Sequence, residues 1–220
     1  MFALVLDTAT PAVSVGIAEV TTDGLTMVAE DQVVDGRRHG EALAVLIAGC
    51  LDKAGIRIDL LDAVVAGVGP GPFTGLRVGL VTAAAIADAR QIPAYGVCSL
   101  DAIAAGLGGP LLVATDARRK EIYWATYDAA GARVNGPSVD KPAAVRENMD
   151  AVERAAGAGA AQYAEILGLP VTGPEYPSMP AMARLAADRV RAGAPTEPLT
   201  PLYLRRPDAT EPGERKKVNR

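Results

Sequence analysis

Residues 62–80 read DAVVAGVGPGPFTGLRVGL. The first seven are short, apolar and β-branched, the pattern of a strand buried on both faces. From Gly67 to Gly75, four glycines and two prolines crowd into nine positions, and Gly79 follows. From Thr74 the chain runs apolar to Arg90 and stops ahead of Pro93, which reads as a helix. A buried strand therefore passes through a glycine–proline loop into an apolar helix. Such a loop marks a backbone that closely approaches something. The candidates are a phosphate, the rest of the same chain, or another protein.

Working outward, FALVLDTA (2–9) reads as a buried strand ending on Asp7, and VSVGIAEV (13–20) alternates as a second strand. Asp23-Gly24 signals a turn before a third strand, TMVAEDQVV (26–34). Residues 40–54 change period, with Leu43, Leu46, Ile47, Cys50, Leu51 and Ala54 on one helical face and Gly55 placed to cap it. PAYGVCS (93–99) and LDAIAAGL (100–107) read as strand and helix. The order is β-β-β-α-β-α-β-α. After GLGGP (106–110), LLVATD (111–116) again ends a strand on aspartate, and EIYWATYD (121–128) reads as its hairpin partner. Beyond residue 140 the pattern fades to a short helix near 157–168 and a better one at 178–193. The expectation is an α/β protein of two lobes, residues 1–108 and a reduced repeat over 109–220, each a mixed sheet with flanking helices. That is the architecture of the actin, Hsp70 and sugar-kinase ATPases.

Composition narrows the function. Half of the 220 residues are hydrophobic but only 4% are aromatic, so the core is built from Ala, Val, Leu and Ile. A formal net charge of −4 argues against a protein whose main task is gripping nucleic acid. Cys50 and Cys98 lie in apolar stretches without metal or disulfide spacing and read as buried, reduced thiols of a cytoplasmic protein. MFALVLDTAT has no basic leader, and no apolar run approaches the ~20 residues that span a bilayer. The last ten residues, EPGERKKVNR, carry four basic and two acidic side chains, and across the tail Arg205, Arg206, Arg215, Lys216, Lys217 and Arg220 read either as a solvated end or as contacts to tRNA phosphates.

The residues offer little catalytic machinery. The single histidine, His39, cannot alone build a zinc or transition-metal site, so no metal is expected. No serine stands in a nucleophile elbow, which gives a peptidase no support. Active ATPases of this architecture place glycine soon after each phosphate-loop aspartate. Here Asp7 is followed by Thr8-Ala9-Thr10 and Asp116 by Ala117-Arg118-Arg119-Lys120. Asp7, Thr8, Thr10, Asp116 and Arg118 therefore form at most a degenerate nucleotide site. The glycine–proline loop lacks the Lys-Ser/Thr ending of a P-loop, and its prolines donate no N–H.

DTAT (7–10), GVGPGPFTGLRVGL (67–80), GVCSLDAIA (96–104), ARRKEIYWA (117–125) and PLYLR (201–205) together resemble the TsaB (YeaZ) family along nearly the whole chain. The resemblance implies a bacterial, cytoplasmic, non-catalytic subunit of the machinery that makes N6-threonylcarbamoyladenosine in ANN-decoding tRNAs. It implies a paralogous partner, TsaD, which carries the metal site, and a small ATPase, TsaE. ATP and metal then belong to partner subunits, tRNA is met indirectly, and no cofactor of its own is expected. A stand-alone weak ATPase or small-molecule kinase of the same fold is the alternative.

Within helix 74–90, Gly75, Gly79 and Ala83 fall four apart and form a stripe almost without side chains. Either helix 40–54 covers that stripe or a partner does. The resemblance favours a partner, with a homodimer when TsaD is absent. The expected interface comprises His39, Leu43, Leu46, Phe73, Thr74, Gly75, Arg77, Val78, Gly79, Thr82 and Ala83.

Overall fold

The structure is a computed structural model and describes residues 1–35, 39–149 and 152–205. Strands β1 (Phe2–Asp7), β2 (Ala12–Val20) and β3 (Leu25–Val34) form an antiparallel meander. Helix α1 (His39–Ala54) leads to β4 (Leu61–Gly67), which pairs parallel with β1. Helix α2 (Phe73–Arg90) leads to β5 (Ala94–Val97), parallel to β4. The first sheet is thus ordered β3-β2-β1-β4-β5, and the element order expected from the sequence holds through α3 (Ser99–Ala104). Gly55 caps α1 at φ +66, as its position predicts.

The second sheet repeats the plan. β6 (Leu111–Asp116), β7 (Ile122–Tyr127) and β8 (Arg133–Asp140) are an antiparallel meander, and β9 (Arg154–Ala156) returns parallel to β6 after α4 (Pro142–Asn148). Its order, β8-β7-β6-β9, matches the first four strands of the other sheet. Short helices α5 (Ala158–Gln162) and α6 (Ala164–Leu167) follow, then α7 (Met179–Arg191). This is the two-lobed mixed α/β architecture, with the second lobe reduced.

Alternation along the central strands sorts the cores, because successive side chains point to opposite faces. Leu4 and Leu6 of β1 join Leu43, Leu46 and Ile47 of α1 and Leu76, Leu80, Ala83 and Ala87 of α2. Ala3 and Val5 point the other way, onto Met179, Met182, Ala183, Ala186 and Val190 of α7. In β6, Leu111 and Val113 face α3 while Leu112 and Ala114 face α4 and α5. Both lobes are therefore sheets covered on two sides, and their central strands read as continuous apolar runs.

One placement departs from the sequence reading. Helix α7, assigned there to the second lobe, closes the back of the first sheet. Its three large core side chains contribute about 2 kcal/mol each by leaving water. The chain after it stays on the first lobe: Glu197 N–H donates to Ala94 O (2.9 Å), and Arg189 ties down Glu197 (2.7 Å) and Gly96 O (3.1 Å). Residues 199–205 then cross between lobes as a strap. Leu202 N–H donates to Val68 O (2.8 Å), Tyr203 stacks on Phe73, and Arg205 donates to Ala117 O (2.8 Å) and pairs with Glu121. No helix among the described residues is long and apolar enough to cross a membrane.

Candidate functional site: the inter-lobe cleft and the open helix face

Strands β1 and β6 both end on aspartate beside the cleft between the lobes, and the turns that follow them line it. A cavity of about 180 Å³ there is lined by Thr8, Thr10, His39, Thr74, Asp116 and Arg118, among others. Four of the five residues expected in a degenerate nucleotide site thus come together, and Asp7 does not join them. Its side chain is 1% exposed, accepting from Ser99 Oγ (2.5 Å) and from Ala9 N–H (2.9 Å). Burial pushes its carboxyl up to about 6, against the lowering effect of those two hydrogen bonds and of the His39 charge. Asp7 is a turn-former and core group.

The threonines are also engaged in structure. Thr8 Oγ1 donates to Gly75 O (2.7 Å) and accepts from Gly79 N–H (3.0 Å), the two backbone groups that an α-helix normally pairs with each other. The hydroxyl is a wedge in the first turns of α2. Thr10 Oγ1 accepts from Ala12 N–H (3.2 Å), and His39 Nε2 donates to Thr10 O (2.8 Å), tying the start of α1 to the β1–β2 turn. Asp116 accepts from Arg118 N–H (2.9 Å) in an equivalent turn of the second lobe. Arg118, Arg119 and Lys120 follow, all in the left-handed region at φ 62°, 53° and 62°. Pockets for drug-sized ligands span roughly 300–1,000 Å³, so the cavity is small for a nucleotide.

The glycine-rich loop approaches its own chain. A Cβ at Gly67 would lie 1.8 Å from Asp7 Oδ2, at Gly71 2.2 Å from Ala9 O, at Gly75 2.9 Å from Thr8 O and at Gly79 2.4 Å from Thr8 Oγ1. The stripe of Gly75, Gly79 and Ala83 thus faces β1 and its turn, not solvent, and no partner can lie on it. Leu43 and Leu46 likewise belong to the core. This corrects five of the eleven expected interface residues. The reason is that the stripe's spacing fixes one helical face without saying which neighbour the face meets. Phe73, Thr74 and Arg77 are exposed and Val78, Thr82 and His39 half-buried. One step around the helix, Val81 (60% exposed), Ala84 and Ala85 are small side chains exposed on α2, as Ala44, Val45 (71%) and Ala48 are on α1.

Sequence reasoning missed two features. Ser99, the partner of Asp7, carries no signal beyond its place at the start of α3. The Phe73–Tyr203 stack joins residues far apart in the chain, and only the PLYLR stretch hints at it. No group of three or more His, Cys, Asp or Glu side chains gathers as a metal site among the described residues. Of the basic tail, Arg205 is bound within the strap, while Arg206, Arg215, Lys216, Lys217 and Arg220 lie outside the described residues.

Comparison with known proteins places the chain. Residues 33–200 match the family model TsaD, tRNA N6-adenosine threonylcarbamoyltransferase. An uncharacterized protein of Mycobacterium tuberculosis is 48% identical, over 94% of this chain and 92% of its own length. The tRNA threonylcarbamoyladenosine biosynthesis protein TsaB of Escherichia coli is 34% identical over 56% of this chain and 54% of its own. The solved structure of YeaZ from Pseudomonas aeruginosa superimposes with a TM-score of 0.75 at 27% identity, covering 92% of this chain and 99% of that one.

Proposed function

The chain belongs to the TsaB (YeaZ) family, which shares a family model with the transferase TsaD, and from that premise we propose that it serves tRNA threonylcarbamoyladenosine biosynthesis as a docking subunit. In this reading it binds a TsaD-type transferase through the open face of α1 and α2 and does not itself perform the transfer. The observation that carries it is that face: Ala44, Val45, Ala48, Val81, Ala84 and Ala85 expose small apolar side chains on two helices whose other sides already cover the sheet. Exposed apolar side chains on two helices that contact each other mark an interaction site, and small side chains let partner helices approach closely. The same surface pairs with a second copy when the transferase is absent. TsaE joins the larger assembly, ATP and metal are held by the partner subunits, and tRNA is the substrate of the assembly.

The cleft supports this division of labour. Its threonine hydroxyls are committed to the chain's own backbone, its aspartate is buried under Ser99, and its single imidazole is bound to Thr10. Those are the fastenings of a scaffold. The alternative, a weak ATPase or small-molecule kinase, predicts robust ATP turnover by the isolated chain.

The test is co-elution with a TsaD-type transferase on size exclusion, with affinity by calorimetry. Val81→Asp puts a carboxylate at the centre of the proposed contact, and burying it unpaired should weaken association by roughly 100-fold or more. Circular dichroism and thermal melting should match the parent, because Val81 is exposed. With the transferase, TsaE, ATP, threonylcarbamoyl-adenylate and tRNA present, omitting the chain should abolish product. A Val81→Asp protein that associates normally removes this face from the mechanism.

A further inference from the structure

We propose that the outer rim of the cleft, from Tyr203 along the strap to the tip of the β6–β7 hairpin, is a contact site for single-stranded RNA. The inference rests on the reading that this chain works in tRNA modification, and it turns an indirect relation to RNA into a direct one.

Three observations meet on this rim. The first is aromatic. Phe73 and Tyr203 are the two aromatic side chains among the described residues that stand clearly exposed, at 49% and 42%. They stack on each other, with ring centroids 5.1 Å apart and planes 32° from parallel. The Arg77 guanidinium lies 5.0 Å from the centroid of Phe73. Two large rings left half in water form a platform with a cation beside it. Unpaired bases stack on such platforms without regard to sequence.

The second observation is backbone conformation. Arg118, Arg119 and Lys120 occupy the left-handed region one after another, where residues with a Cβ are disfavoured and where turns ordinarily use glycine or asparagine. The turn keeps three long basic side chains in a conformation that glycine would adopt without strain. Strain of this kind concentrates where a loop is held ready for a ligand. The turn is nevertheless well fastened, since Glu121 N–H donates to Arg118 O (2.9 Å) and Ala117 N–H to Glu121 O (3.0 Å).

The third is the link between them. Two residues beyond Tyr203, Arg205 donates to Ala117 O (2.8 Å) and pairs with Glu121, so the base of the hairpin is tied to the strap that carries the ring. Thr74, next to Phe73, and Arg118 line the same cavity. Among the described residues of the rim, Arg118, Arg119, Lys120 and Arg205 outnumber the carboxylates Asp116 and Glu121, with which Arg118 (3.8 Å) and Arg205 pair, on a chain whose net charge is −4. A local cationic edge beside a stacking ring suits a polyanion that carries exposed bases. It suits an acidic protein less well, because such a partner would use the charge and leave the rings idle.

The experiment uses the full chain and a fluorescein-labelled, mixed-sequence single-stranded RNA of twelve nucleotides, with anisotropy measured across a salt series. Replacing Arg118, Arg119 and Lys120 together by alanine should reduce the slope of log affinity against log salt by about 2, since each phosphate contact on a single strand contributes about 0.7. Tyr203→Ala should cost roughly 10-fold in affinity and leave that slope unchanged, the signature of stacking. A duplex of the same sequence should bind more weakly than the single strand. The proposal is overturned if the parent chain shows no saturable RNA binding, if both variants bind like the parent, or if a polyglutamate peptide displaces the RNA as well as unlabelled RNA does. Each variant is also tested for association with the TsaD-type transferase. Retained association with unchanged RNA affinity sinks the RNA site alone. Normal association of the Val81→Asp protein sinks the docking reading instead.

Discussion

The wedge of Thr8 into α2 makes a sharp quantitative prediction. Gly79→Ala adds a methyl group 2.4 Å from Thr8 Oγ1 and 3.3 Å from Leu6 Cδ1, where ordinary contacts need about 3.5 Å or more. In an exposed helix the same change would gain about 1 kcal/mol, because glycine is a poor helix former. Here the hydroxyl must withdraw by about 1 Å. Thr8 is β-branched and 1% exposed, so it has no free rotamer to move to. Two hydrogen bonds, to Gly75 O and from Gly79 N–H, weaken together at about 1 kcal/mol each. Overpacking adds about 1–3 kcal/mol. The net expectation is a loss of about 2–3 kcal/mol, read as a shift in the urea midpoint at unchanged m value. Thr8→Ala alone removes the wedge and should cost about 1–2 kcal/mol. The double variant removes the obstacle as well as the wedge: the remaining Cβ–Cβ distance is 3.4 Å and the helix can close its own i to i−4 bond. It should be no less stable than Thr8→Ala, a coupling of about 2 kcal/mol. Additive losses would refute the wedge. Gly79→Leu would likewise test folding, since a leucine there meets Thr8 and Leu6 before any partner.

Other expectations follow from the same geometry. Asp7 titrates near 6 when folded and near 4 when unfolded. Between those values the folded chain holds a proton that the unfolded chain has released, so stability should fall by about 3 kcal/mol as pH rises from about 4 to about 6. Asp7→Asn should flatten that slope in urea titrations at a series of pH values. Gly67→Ala, which would place a methyl 1.8 Å from the Asp7 carboxylate, should cost at least about 3 kcal/mol by the same assay. Cys50 and Cys98 are buried, and burial raises both thiols, so a disulfide-exchange reagent should label neither in the native protein and both in urea.

Legibility of the fold followed the strength of local patterns. β1 to β3 and α1 to α3 could be read because apolar periodicity and turn residues agree there. β8 could not: it is an edge strand of RVNGPSVD, half exposed with no buried residue, and carrying a Gly-Pro step. β9 is three residues long and exists because β6 offers it a parallel partner. α7 was legible as a helix, while its seat was not, since an apolar face does not name the sheet it will cover. At the site the same limit applies. The glycines announced a close approach, and only the fold shows that Thr8 and Asp7 are what they approach. The gathering of Thr8, Thr10, Asp116 and Arg118 was readable from the repeated strand-ending aspartate, and the sequestering of Asp7 by Ser99 was not.

The seat of α7 bears on how the protein is born. The back of the first sheet, with Val5, Val65 and Tyr95, has no cover until residues 179–190 have been made. The earliest strands must wait for nearly the last helix before they leave water, so the first lobe cannot finish folding on the ribosome ahead of the second. A nascent chain stalled before Met179 would present a bare apolar sheet to the cell, and a chaperone that recognises such surfaces would meet it there.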